Sequence, residues 1–95
     1  MKLMLEFSGG MELLFGGQKE IHADVPLESP TVAHLLVWMR DNLVKARPEL
    51  FMKGETVRPG ILVLINESDW ELCGMLEAQL SDGDHVVFIS TLHGG

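Results

Sequence analysis

The chain has 95 residues, 46% of them hydrophobic and 22% charged, which fits one globular domain with no room for a second core. Seven Lys and Arg stand against 14 Asp and Glu, a net charge of −7. Such a chain repels phosphate backbones on average, which argues against direct nucleic-acid binding and for an acidic carrier docking on a basic partner. Cys73 is the single cysteine, so an intrachain disulfide, a thiolate zinc site, an iron–sulfur cluster and CxxC redox chemistry within one chain are all excluded.

No apolar run approaches the roughly 18 residues of a membrane helix, and MKLMLEFSGG is too interrupted for a signal-peptide core. The expected location is cytoplasmic, without membrane attachment.

Lys2 to Phe7 alternates, with Leu3, Leu5 and Phe7 on one side and Lys2, Met4 and Glu6 on the other, as a half-buried strand does. Gly9–Gly10 suits a tight turn, and Met11, Leu13 and Phe15 then alternate with Glu12 and Leu14, which predicts an N-terminal β-hairpin. Gly16–Gly17 ends it, and the polar stretch from Gln18 to Val25 leaves room for a short extension of the second strand. Ser29–Pro30 is the expected helix start. Val32, Leu35, Leu36, Met39, Leu43 and Ala46 follow at helical spacing, and Pro48 stops the helix near Ala46 or Arg47. Lys45 and Arg47 then fall in its last turn, where cations favour the negative end of the dipole.

Residues 48–60 read as a long connection. Ile61 to Ile65 is an unbroken aliphatic run, typical of a strand covered on both faces. Asn66 to Asp69 is a polar turn. An irregular crossover with one short helical turn then carries Leu72, Met75, Leu76 and Leu80. Asp82–Gly83–Asp84 turns the chain into a last strand from His85 to Ser90. The order is β-β-α-β-irregular-β. A helix across one face of a mixed sheet, with the two apolar strands interior, is an α+β domain of the β-grasp architecture. The expected division is one domain over residues 1–90 and a flexible C-terminal tail over residues 91–95.

Motifs of autonomous chemistry are missing. The sequence holds no GxGxxG, P-loop, GxSxG or HExxH. His22, His34, His85 and His93 are isolated, and no pair has the spacing that places two imidazoles on one helix face, so no metal site is expected. Cys73, between Leu72 and Gly74, reads as a small apolar residue near the core. Asp82 and Asp84 flank a turn glycine and form no catalytic pair. Trp38 lies off the helix stripe, where it either caps the core edge or marks an interface. Met4 and Leu14 look outward in the hairpin reading and are candidates for an apolar partner patch, with ordinary scattered exposure as the alternative.

The sequence closes on Gly94–Gly95. A frayed end is the plain explanation. The functional one is access: residues without Cβ atoms can thread a narrow channel and present a carboxylate to a partner's nucleotide site. Activation as an acyl-adenylate would make that carbonyl an electrophile for sulfur or an amine.

VRPGILVLINESDWELCG (Val57 to Gly74) and DGDHVVFISTLHGG (Asp82 to Gly95) resemble the ubiquitin-related modifier family, and so do GGMELLFGG (Gly9 to Gly17) and LLVWMRDNLVKARPELF (Leu35 to Phe51). The resemblance implies a sulfur carrier and protein modifier with no catalytic residue and no bound cofactor. It implies that an E1-like enzyme with a rhodanese domain adenylates Gly95 with ATP, and that persulfide sulfur then yields a thiocarboxylate. Thr91, Leu92, His93 and Gly94 would thread the activating enzyme. A tRNA thiolase complex would receive the sulfur for 2-thiolation of wobble uridine in cytosolic tRNAs. Lysines of target proteins would accept the carrier as an isopeptide, notably in oxidative stress.

Three other readings stay open on the residues alone. One is a ubiquitin-like binding module with an inert tail. Another is a sulfur carrier serving thiamine or molybdopterin synthesis. The third, an independent enzyme using His34 or Cys73, lacks any partner group placed by spacing.

Overall fold

Alternation in the first seven residues makes strand β1, Lys2–Ser8, whose Leu3, Leu5 and Phe7 are buried while Met4 and Glu6 are half-buried on the other side. The computed structural model describes residues 1–91. After β1 come β2 (Glu20–Asp24), helix α1 (Val32–Asn42), β3 (Met52–Lys53), β4 (Thr56–Val57), β5 (Ile61–Ile65), β6 (Ser68–Asp69) and β7 (His85–Ser90). Five strands form a mixed sheet in the order β2-β1-β7-β5-β6, and β3 pairs with β4 in a separate small hairpin. The first and last strands pair in parallel, from Met4 opposite His85 to Ser8 opposite Ile89, and every other pairing is antiparallel.

The predicted tight hairpin is corrected. Strands β1 and β2 are antiparallel neighbours, but between them Met11–Phe15 forms a 3₁₀ turn instead of a strand. The run MELLF fits both periods: Met11, Leu13 and Phe15 alternate, while Met11, Leu14 and Phe15 follow helical spacing. The helical set is the buried one, because it brings Phe15 onto Phe7 with ring centroids 4.0 Å apart. Leu13 is left 73% exposed. The Glu12 carboxylate accepts the Gly10 amide at 2.9 Å and closes the turn.

Helix α1 starts two residues later than predicted, with its cap at Thr31 and not at Ser29. Ser29 and Pro30 lie ahead of the helix, where their carbonyls accept the Gln79 side-chain amide, and Pro30 also accepts the Leu80 amide. Thr31 is the cap instead: its hydroxyl accepts the His34 amide, and His34 Nδ1 accepts the Thr31 amide, a reciprocal pair. The helix also ends earlier, at Asn42. The Leu43 and Val44 amides both reach the Met39 carbonyl, and the Lys45 amide donates to Leu14 at 2.8 Å, which pulls the chain off the helix axis. Ala46 is exposed and Arg47 takes a left-handed φ of 51° before Pro48, so Lys45 and Arg47 lie beyond the last turn.

Strands β5 and β7 fall where the aliphatic runs predict and are interior to the sheet. They are not covered on both faces, however. Ile61, Val63, Ile65, Val86 and Phe88 face the helix, whereas on the free face Val87 is buried but Leu62, Leu64 and Ile89 are only half-buried. The crossover contains two 3₁₀ turns, Trp70–Leu72 and Met75–Glu77. There Trp70 and Leu80 are buried, but Leu72 is 85% exposed.

All four phenylalanines of the chain meet in one cluster between sheet and helix. Phe7 stacks on Phe15 and on Phe88, and Phe51 meets Phe15 and Phe88 edge-on. At about 1.5–3 kcal/mol for each large side chain withdrawn from water, this cluster is a major share of what stabilises so short a chain. It lies at the end of the sheet where β7 finishes.

Candidate functional site

The predicted reactive residue, Gly95, and the tail residues Leu92, His93 and Gly94 lie outside the described residues; what the structure describes is the ground on which they stand. Strand β7 ends at Ser90, opposite Ile61 of β5. The next residue, Thr91, donates both its amide, at 2.9 Å, and its hydroxyl to the Gly60 carbonyl. On the other side of β7, Gly9 packs against the Ser90 backbone so closely that a Cβ there would sit 2.3 Å from the Ser90 carbonyl oxygen. Gly9 also has a φ of 69°, so side-chain bulk and backbone conformation both demand glycine. The chain is therefore gripped on both sides up to Thr91, at the sheet end that the phenylalanine cluster makes solid.

The proposed Met4–Leu14 patch does not form. Met4 lies on the free sheet face, half-buried, with His22 of β2 and His85 of β7 in register on either side. Leu14 is buried in the 3₁₀ turn, only 9% exposed, because that turn replaced the second strand of the hairpin. Leu13 is the exposed residue, and the helical spacing of Met11, Leu14 and Phe15 is the signal that could have singled it out. The grip of Gly9 on Ser90 had no local signal, since it joins residues 81 apart in sequence.

The side chains capable of chemistry are engaged separately. His22 meets Glu20 and His85 meets Glu6, each at 3.1 Å, while His34 caps the helix. Cys73, expected near the core, is exposed in the crossover, and its thiol donates to the Asp69 carbonyl at 3.6 Å. Trp38 is half-buried beside Leu27 and Val37 at the edge of the helix. Glu49 is held below the ordinary carboxylate range, chiefly by its own backbone amide, against an opposing effect of burial and with further help from Arg47 and Arg58. Among the described residues no group of three or more His, Cys, Asp or Glu could hold a metal ion. None of their helices is long and apolar enough to cross a membrane.

A mixed sheet ordered β2-β1-β7-β5-β6 that holds one helix, with its last strand delivering the chain end at a solid edge, defines a β-grasp protein of the ubiquitin-like class. A protein-family model described as Urm1 (Ubiquitin related modifier) matches residues 2–95. A Chlamydomonas reinhardtii ubiquitin-related modifier 1 homolog is 64% identical over 97 residues, spanning 99% of this chain and 98% of that protein. The Homo sapiens ubiquitin-related modifier 1 is 58% identical over 93 residues, spanning 96% of this chain and 92% of that protein. The solution structure of Urm1 from Trypanosoma brucei superposes with a TM-score of 0.82 at 43% identity, over 99% of this chain and 95% of that one. The chain belongs to the ubiquitin-related modifier family. It is a small modifier and sulfur carrier and not an enzyme.

Proposed function

We propose that Gly95 is the reacting residue of this carrier, thiocarboxylated by an E1-like adenylating enzyme with a rhodanese domain. Family membership across residues 2–95, a span that includes Gly94 and Gly95, is the observation that supports the reading. In this reading the Gly95 carboxylate attacks the α-phosphorus of ATP, and pyrophosphate leaves. The terminal sulfur of an enzyme persulfide attacks the acyl carbon and expels AMP. A second thiol then cleaves the acyl disulfide, leaving a thiocarboxylate on the carrier and a disulfide on the enzyme.

Each group needed for these steps belongs to the partner. The carrier supplies an electrophilic carbon on a slender end: Thr91, Leu92, His93 and Gly94 thread the enzyme, and residues 1–90 form the domain it grips. A tRNA thiolase complex takes the sulfur for 2-thiolation of wobble uridine in cytosolic tRNAs, and lysines of target proteins take the acyl group as an isopeptide. A net charge of −7 agrees with a division of labour in which the thiolase holds the tRNA. The setting is cytoplasmic.

Intact-mass measurement tests the chemistry. The chain is incubated with its activating enzyme, ATP and a persulfide donor. Replacement of one oxygen by one sulfur, mapped to Gly95 and dependent on ATP, is the expected result. An unchanged mass, with the enzyme shown active on another carrier, would reject it in favour of a binding module.

A further inference from the structure

Sheet pairing brings together residues that sequence spacing keeps apart. Met4 stands directly opposite His22 in the antiparallel pair and directly opposite His85 in the parallel one. The three form one row across β2, β1 and β7, on the face away from the helix, although the histidines are 63 residues apart in sequence. Ladder bonds fix how close they come. The Phe7 amide donates to Lys19 and the Val25 amide to Met1, so odd-numbered residues of β1 make the bonds to β2. Met4 and His22 are therefore a non-hydrogen-bonded pair, the kind whose side chains approach most closely. Two strand spacings, roughly 9–10 Å, separate the histidine backbones, and the thioether chain stands between them.

The rings are placed to converge. His85 reaches across to β1, where its Nε2 meets Glu6 at 3.1 Å, so its ring leans toward the strand that carries Met4. His22 is tethered only along its own strand, to Glu20 at 3.1 Å, and its side chain is 77% exposed. A contact so exposed is worth little, which leaves the ring free to turn inward. A recess of about 410 Å³ borders Met4 and His22, lined also by Lys2, Asp24 and Gly83. The neighbouring rows carry Lys2 opposite Asp24 and Glu6 opposite Glu20, three carboxylates against one ammonium. Glu6 and Glu20 face each other as like charges, an unfavourable cross-strand pair that a cation beside it relieves.

We propose that His22, Met4 and His85 form a binding site for a soft monovalent metal ion, copper(I), held by two imidazoles and a thioether. The donor set selects the ion. Thioether sulfur is a poor ligand for hard cations and a good one for copper(I), and imidazole suits copper as well. Copper(I) is satisfied by three donors, so no carboxylate is needed as a ligand. Glu6 and Glu20 offset the charge of the ion from just outside the row. Binding joins three adjacent strands through one ion, including the parallel pair that closes the sheet, and stabilises the folded chain by linkage. The site does not depend on the reading of Gly95.

The test is anaerobic titration of the full chain with copper(I) against a chromogenic copper(I) chelator, in a Cys73→Ser background. That substitution removes the exposed thiol, which would otherwise take the ion itself. One equivalent is expected to bind, to raise the thermal midpoint, and to shift the Met4 Cε methyl resonance among those of the six methionines. Met4→Leu, His22→Gln and His85→Gln should each weaken copper(I) at least about 10-fold. Met75→Leu, at an exposed methionine in the crossover, should stay within about twofold of the parent. Zinc(II) is the second probe: it should bind more weakly, and Met4→Leu should change its affinity by less than about twofold. The methyl shift is read on the parent chain and so stands even where a histidine variant folds poorly. No copper(I) binding, an unshifted Met4 methyl, or equal losses from Met4→Leu and Met75→Leu would overturn the site. A zinc(II) affinity equal to that for copper(I) would overturn the choice of ion.

Discussion

The two ends of the sheet are held together by different physics. Where β7 begins, carboxylates stitch the turns: Asp82 accepts the Lys2 amide at 2.6 Å, and Asp84 accepts the Ser81 amide and the Asn66 side chain. Where β7 ends, stacked phenylalanines, a glycine pressed onto backbone and a paired carbonyl do the work. The first end can yield by one hydrogen bond at a time. The second is a close-packed solid, in which one misplaced atom is felt by its neighbours. The difference teaches that close packing is concentrated where β7 ends and Thr91 leaves the sheet.

Substitutions at the two ends should therefore differ in size. The largest effect is expected for Phe15→Ala, which empties the middle of the aromatic cluster; a loss of about 3–5 kcal/mol in urea unfolding is expected. Gly9→Ala comes next. It puts a methyl into the Ser90 carbonyl and forces a positive φ, for a cost of about 1–3 kcal/mol. Gly10→Ala is its internal comparison, with a φ of 98° but open space around the added carbon, so only the backbone part of the cost remains. Equal costs at the two positions would show that the grip on β7 contributes nothing.

At the carboxylate end, Asp82→Ala should cost only about 1 kcal/mol, because the orphaned Lys2 amide is exposed to water. Smallest of all is the pH effect of Glu49. Its folded-state pKa is depressed, so the associated stability is present above the unfolded value of 4.5 and fades as pH falls through the folded one. Glu49→Gln should thus lower the unfolding midpoint slightly at pH 7 and by less at pH 3, below the unfolded value of 4.5. A midpoint unchanged at both pH values would remove Glu49 from the comparison.

Much of this was legible in the sequence, for reasons that differ along the chain. The strands β1, β5 and β7 could be read because their apolar periodicity is strong and their ends are punctuated by Gly, Asn and Asp. The helix could be read from its stripe, but its ends could not. Thr31 became the cap because Pro30 is tied to Leu80, and Asn42 became the last residue because Lys45 is tied to Leu14. Both are long-range ties that no local signal records. MELLF failed for a different reason: its composition satisfies two periods, and only the presence of Phe7 across the turn selects one. That choice moved Leu14 inward and Leu13 outward, which is why Met4 and Leu14 do not share a surface.

The parallel pairing of β1 with β7 has a consequence for how the molecule comes into being. Lys2 opens one of these neighbouring strands, and the other follows every other described strand in sequence. The sheet cannot close around β1 until synthesis has passed Ser90, and contacts this distant in sequence form late and slowly. A ribosome-bound chain lacking β7 has neither Phe88 in its core nor a partner for the inner edge of β1. A chain broken off before β7 keeps β1 with β2 and β5 with β6 as two separate pairs, with nothing to join them into one sheet.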